Sequence, residues 1–304
     1  MRAILPPSLK KGNTIGIVCP AGYMDAAKAE TCIRVLQQWG FKIKTGQTLG
    51  GTSASYFSGT DEERLQDLQQ MLDDDGVQAV LCGRGGYGMG RIIDRLNFKK
   101  FRKHPKWVIG YSDITIFHNH IVRNFGIAGL HAPMAAAFNE GGYRNRYVQS
   151  LRHALSGAKA AYKVRGSAYN RPGVVTAQLV GGNLSLLVNA IGTRSDVPTR
   201  GKILFIEDIG EQKYNVDRML YQMKRSGKLR QLAGLVFGGF TDLQDTTRPF
   251  GEALKDLLWD KVKEYGYPVC FDFPVSHEKE NYALKVGGTY KLSVTTKNVI
   301  LQEV

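Results

Sequence analysis

Three side chains at the ends of apolar runs are of the types that together perform acyl transfer. Ser112 stands in VIGYSDIT, residues 108–115, between an apolar strand and the first turn of a helix. Its plain reading is a helix N-cap, whose hydroxyl satisfies an orphan N–H. Its sharper reading is a nucleophile on a strand-to-helix elbow, built like G-x-S-x-G but written G-Y-S-D, with the Asp113 N–H facing the oxygen of a tetrahedral intermediate. An unaided serine hydroxyl is a weak nucleophile, so this reading demands a base and an acid to orient that base.

Six histidines are available. His118 and His120 share the helix after Ser112 and cannot both face it. His104 and His153 sit in basic helical surroundings, and His131 follows GIAGL at a strand end. His277 differs, because it follows the strand-like FDFPVS and opens the polar loop HEKENY; it is either a surface residue or the base. KILFIEDIGE ends an apolar strand with Glu207 and Asp208. Either acid can orient an imidazole, and either can equally be a cap or the partner of Arg218.

The stretch Gly83-Arg84-Gly85-Gly86-Tyr87-Gly88 matches G-x-G-x-x-G between a strand and a helix. Three readings stay open. A dinucleotide loop would place the pyrophosphate at the helix N-terminus, but that fingerprint belongs after the first strand and this one follows the third. A structural turn is the second. The third is a substrate or oxyanion loop, in which the backbone of Gly85 and Gly86 meets developing negative charge. Arg84 within it is suited to grip a carboxylate through two parallel hydrogen bonds.

The elements that must carry these residues alternate. TIGIVC (14–19), FKIKTG (41–46), VQAVLCG (77–83) and WVIGYS (107–112) read as strands; 25–40, 61–75 and 89–98 have helical spacing. This βαβ alternation predicts an α/β fold, a Rossmann-like N-terminal domain whose mostly parallel sheet binds ligands beyond the carboxyl ends of its strands. The run SGAKAAYKVRGSAYNRPG is poor in large aliphatics and reads as a linker. The expected division is therefore 1–157, a linker at 158–172, and a smaller mixed α+β domain at 173–304. In that domain 202–208, 234–240, 268–274 and 289–296 read as strands, 214–227 and 249–265 as helices, and the last stretch as an antiparallel hairpin.

Composition narrows the classes. With 304 residues, 43% hydrophobic and 22% charged, the chain is ordinary globular protein of two-domain length. The four cysteines, Cys19, Cys32, Cys82 and Cys270, lie far apart, mostly in apolar runs, as buried thiols rather than zinc ligands or disulfides. No stretch approaches the roughly 18 apolar residues of a membrane helix, and the start lacks a secretory pattern. A cytoplasmic protein without a membrane partner is expected. The net charge of +14 is dispersed, with no long basic tract, and points to an anionic small substrate or to a solubility effect rather than to nucleic acid.

IGIVCPAG, GRGGYGMGRIIDRLNF, VIGYSDIT, HAPM, LVGGNLSLL, LFIEDIGEQKYNVDRML and FPVSHEKEN stand in this order over almost the whole chain. Together they resemble the LD-carboxypeptidases of bacterial peptidoglycan recycling, peptidase family S66, of which the microcin C immunity hydrolases are a related branch; the alternative activity on that branch is hydrolysis of an aminoacyl-nucleotide toxin by the same triad. The resemblance implies that Ser112 is the nucleophile, His277 the base and Glu207 the acid that orients it, gathered at an interdomain cleft. It implies cleavage of the L,D bond that holds the terminal D-alanine of a murein tetrapeptide, no metal or organic cofactor, and a homodimer. The family more often has glycine before the histidine where this chain has Ser276, a difference that bears on loop shape and substrate preference.

Overall fold

The computed structural model describes residues 3–304. In chain order the strands are β1 (Thr14–Val18), β2 (Lys42–Thr45), β3 (Ala79–Cys82), β4 (Trp107–Ile109), β5 (Gly129–His131), β6 (Ala161–Arg165), β7 (Gly173–Asn183), β8 (Ile203–Ile209), β9 (Gly234–Thr241), β10 (Val269–Cys270), β11 (Leu284–Val286), β12 (Thr289–Val294) and β13 (Asn298–Glu303). The helices are α1 (Glu30–Gln38), α2 (Asp61–Asp73), α3 (Met89–Ile92), α4 (Lys99–Lys103), α5 (Thr115–Phe125), α6 (Arg146–Leu155), α7 (Leu184–Asn189), α8 (Lys213–Arg225) and α9 (Leu254–Asp260).

Two compact units result: residues 3–158 with Tyr282–Gly287, and Lys159–Asn281 with Gly288–Val304. The first holds a six-stranded sheet in the order β11-β5-β4-β3-β1-β2. Its first five strands run parallel. β11 alone is antiparallel, against β5. Every residue of β3 and β4 is buried, which is why both read as unbroken apolar runs. Because the five strands are parallel, their carboxyl ends share one edge, and the order 2-1-3-4-5 puts the topological switch between β1 and β3. On that edge the chain turns through 19–22, 83–88 and 110–112.

Helix α2 starts firmly on the same edge. The Thr60 hydroxyl accepts from the Glu63 N–H at 3.2 Å, and the Glu63 carboxylate accepts from the Thr60 N–H at 2.7 Å. Arg64, Leu68, Met71 and Leu72 make its buried stripe. On one face of the sheet, Ile17, Leu81, Ile109 and Leu130 pack with Phe138 and Leu151 into the core.

The second unit carries a seven-stranded sheet ordered β10-β9-β8-β7-β12-β13-β6. β7 joins its two halves: 173–178 pairs antiparallel with β12, and 179–183 parallel with β8. The expected C-terminal hairpin is β12–β13. The architecture is the expected α/β class, with a Rossmann-like first sheet.

Four features differ from the sequence reading. The span 158–172 contains β6, whose Tyr162 and Val164 alternate with exposed neighbours, an edge-strand pattern hidden by the Gly and Lys around it. β7 itself is unanticipated, because its Thr, Gln and paired glycines mask a strand that neighbours on both sides complete. The segment 282–287 belongs to the first unit, although it follows most of the second in sequence. Finally, α3 and α9 are much shorter than 89–98 and 249–265.

Candidate active site

β4 delivers Ser112 to the carboxyl edge. Tyr111 is extended, with φ −145° and ψ −168°, and Ser112 then turns to φ +62°, one of three non-glycine residues at positive φ among those described. That conformation costs an L residue about 1–3 kcal/mol and persists where the surroundings dictate it. No side chain caps the turn Ser112–Ile114 that follows, so the N-cap reading does not hold. His118 on α5 braces the elbow: its Nε2 lies 2.9 Å from the Gly110 carbonyl. A carbonyl only accepts, so Nε2 carries the hydrogen. Burial pulls this imidazole down to about 4, leaving it a neutral donor.

The glycine loop lies directly against the serine. A Cβ built on Gly85 would stand 2.9 Å from the Ser112 Cβ and 3.2 Å from its hydroxyl, a space only glycine leaves open. The Gly85 carbonyl accepts from the Gly22 N–H at 3.0 Å, tying this loop to the turn after β1. Asp113, fully buried, accepts from the Met89 N–H at 2.7 Å. Burial raises its carboxyl to about 6 against the opposing pull of the Met89 N–H, the Arg64 charge and the Gly88 N–H. The N–H groups that a pyrophosphate would use at the start of α3 therefore already hold a carboxylate, and α3 has only four residues. This disfavours the dinucleotide reading of GRGGYG. Arg84 is exposed and donates through Nη1 to the Tyr23 carbonyl at 2.8 Å.

Arg64 locks the same loops from below. It is wholly buried, donates through Nη1 to the carbonyls of Pro20 at 2.7 Å and Gly88 at 3.2 Å, and pairs with Asp61. Sequence reasoning passed over it, although a lone arginine in register with Leu68, Met71 and Leu72 was the signal. Cys19 lies close by, but burial chiefly pushes its thiol up to about 12, so it is no competing nucleophile.

In the second unit, β8 presents Glu207 fully buried, and its Oε2 lies 2.6 Å from the His277 Nδ1. A carboxylate only accepts, so Nδ1 carries the hydrogen and Nε2 is the basic nitrogen of that tautomer. The adjacent Asp208 points elsewhere, accepting from the Asn183 side chain at 2.8 Å and the Ser185 N–H at 3.0 Å. Burial chiefly raises its carboxyl to about 6. It thereby fixes the start of α7 within LVGGNLSLL. Arg218 takes neither acid: it bonds to Asn215 and lies over the Tyr214 ring.

The histidine loop reaches β9 through two glycines that sequence reading left unassigned. A Cβ on Gly238 would stand 2.2 Å from the Val275 carbonyl, and one on Gly239 would stand 2.5 Å from the Ser276 Cβ. Ser276 steadies the turn, accepting from the Glu278 N–H at 3.0 Å and donating to the Glu280 carbonyl at 3.1 Å. Of the other histidines, His104 and His153 are exposed, His120 stacks on Phe98 at 5.3 Å, and His131 is buried against the Tyr111 ring at 5.7 Å.

The α/β fold is shared with solved structures. Over 96% of this chain and 98% of the other, it superposes with a TM-score of 0.86 and 28% identity on muramoyltetrapeptide carboxypeptidase from Oxalobacter formigenes. The microcin C7 self-immunity protein MccF matches at TM-score 0.88 over 99% of both chains, but at 21% identity this is likeness of fold. The sequence narrows the class. The profile of the LD-carboxypeptidase N-terminal domain matches residues 15–132, and that of the LD-carboxypeptidase C-terminal domain matches residues 176–292. A probable murein peptide carboxypeptidase of Bacillus subtilis is 36% identical over 300 residues, 98% of this chain and 94% of that protein. The murein tetrapeptide carboxypeptidase of Pseudomonas aeruginosa is 29% identical over 289 residues, 90% and 91% of the two chains. The chain belongs to the LD-carboxypeptidase family, peptidase family S66.

Proposed function

We propose that this protein is a serine carboxypeptidase that removes the terminal D-alanine of a murein tetrapeptide by cutting the L,D bond that holds it. The observation that carries the reading is the Ser112 backbone at φ +62° on a strand-to-helix turn with glycine packed on its side chain. The Glu207–His277 hydrogen bond supports it as the base and its orienting acid.

In the proposed reaction His277 Nε2 takes the Ser112 proton and the alkoxide attacks the scissile carbonyl. N–H groups of Asp113 and of the Gly85–Gly86 loop stabilise the oxyanion; Asp113 stands in the first turn of a helix, where an N–H has no intrahelical acceptor. The imidazolium gives its proton to the departing D-alanine amine, leaving an acyl-enzyme, and water activated by the same imidazole releases the tripeptide. Arg84 grips the substrate's free carboxylate with the part of its guanidinium that Tyr23 leaves exposed.

The setting we infer is cytoplasmic, which four free, buried cysteines support, and the assembly a homodimer. Among the described residues no helix is long and apolar enough to cross a membrane.

The deciding experiment is release of D-alanine from a muramoyl tetrapeptide by the purified protein, beside Ser112→Ala. Release that disappears in the variant supports the reading. No release by the intact protein, or equal release by the variant, refutes it.

A further inference from the structure

Beside the glycine loop, entirely within the first unit, lies a cleft of about 920 Å³. It opens between the chain that follows β2, the loop 51–60, the start of α2 and the two arginines Arg91 and Arg95. Its charges are already matched. Asp61 holds Arg64 and Arg91, Glu62 holds Arg95, and Glu63 closes the capping box of α2. A charged ligand would have to break these pairs to be recognised. The polar groups with spare capacity are neutral: the Gln47 amide and the Thr52 hydroxyl line the cleft and make no side-chain hydrogen bond among the described residues.

The cleft adjoins the serine through an unbroken set of contacts. Gly85 packs on Ser112, and a Cβ on the next residue, Gly86, would stand 2.8 Å from the Tyr56 Oη. The Tyr56 ring meets Phe57, a wall of the cleft, at 5.4 Å, and Phe57 meets Tyr87 at 5.9 Å. Tyr56 and Tyr87 are both more than half exposed. Exposed rings beside uncommitted neutral donors and acceptors suit a ligand with an apolar face and a hydroxylated rim.

On the reading of the function given above, we propose that this cleft is the subsite for the sugar of the muropeptide. In a muramoyl tetrapeptide three residues separate the scissile bond from the sugar, an extended reach of about 10 Å. That length carries the sugar away from Ser112, past Gly86 and Tyr56, toward Thr52 and Gln47. The N-acetylated sugar is neutral and polyhydroxylic, the chemistry the spare groups of the cleft match, while the acidic stem peptide is not.

The test compares kcat/KM for a free tetrapeptide and for the same peptide bearing its muramoyl sugar, in the intact protein and in Gln47→Leu/Thr52→Val. The intact protein should prefer the muramoyl form about tenfold, the effect of one or two net hydrogen bonds. The double variant should lose that preference while cutting the free tetrapeptide at the unaltered rate. Equal rates on the two substrates in the intact protein, or a preference that survives in the variant, would overturn the subsite and leave the carboxypeptidase reading standing. Cleavage of neither substrate by the intact protein would overturn that reading and the subsite with it.

Discussion

Gly85 and Ser112 are in van der Waals contact, so close that a methyl group on Gly85 would press on the Ser112 Cβ at 2.9 Å and on its hydroxyl at 3.2 Å. Gly85→Ala should therefore lower kcat at least tenfold by displacing the hydroxyl, while the protein remains folded. Steady-state kinetics together with thermal unfolding check it; an unchanged kcat would mean that the serine tolerates displacement.

The positive φ of Ser112 is a stability cost as well as a geometric device. Ser112→Gly should abolish activity and yet stabilise the protein by about 1 kcal/mol, because glycine adopts this conformation without the penalty of a Cβ. Chemical denaturation of the two proteins measures the difference. A glycine variant less stable than the parent would show that contacts of the serine side chain outweigh the backbone strain.

Asp113 gives stability a pH dependence whose sign follows from its raised carboxyl. Its proton is held up to about 6 in the folded protein against the ordinary 3.8 of an unfolded aspartate. Between these values the folded state binds more protons than the unfolded, so this contribution to stability falls as pH rises from about 4 to 6, by roughly 2–3 kcal/mol. Asp113→Asn keeps an acceptor for the Met89 N–H and removes the titration. Relative to that variant, the parent should lose stability steadily from pH 4 to 6, and denaturant titrations across that range are the check. A difference that does not vary with pH would exclude the assignment. Asp208, also raised to about 6, stays in both proteins and cancels in the comparison.

Glu207→Gln preserves the shape of the pair with His277 but removes the charge that stabilises an imidazolium and fixes its tautomer. The expected result is a kcat reduced by about 10³–10⁴-fold with KM altered little. A loss confined to KM would make Glu207 a substrate-binding residue instead.

Ser276 stands directly before the histidine, and Ser276→Gly tests what its hydroxyl contributes there. It removes both hydrogen bonds that brace the turn, those to Glu278 and Glu280. The expected cost is a severalfold drop in kcat with recovery in Ser276→Thr, each bond contributing about 1 kcal/mol. Equal activity in all three proteins would show that the turn holds without the hydroxyl.

Much of this site was legible because its residues end apolar runs. β3 and β4 are buried on both faces, so their strand character survives any reading of the sequence, and Ser112 and the glycine loop fall at their carboxyl ends. Glu207 and His277 were legible as polar residues terminating strand-like runs, although only Glu207 lies in a long regular strand, β8, while His277 stands in a loop after the two-residue β10. What escaped notice depends on partners remote in sequence. Arg64 reads as one more charge on an acidic helix until the carbonyls of Pro20 and Gly88 close over it. β7 reads as polar connection until β8 and β12 flank it.

The sequence by itself determined the α/β alternation, the family and the identity of the candidate residues, because periodicity, apolar runs and ordered motifs are properties of neighbours along the chain. Only the tertiary structure decided which acid faces His277, that Ser112 caps nothing, and that Asp113 fills the helix terminus a phosphate would have needed. Those outcomes turn on distances of 3 Å between residues from 24 to 70 positions apart, which no local pattern encodes.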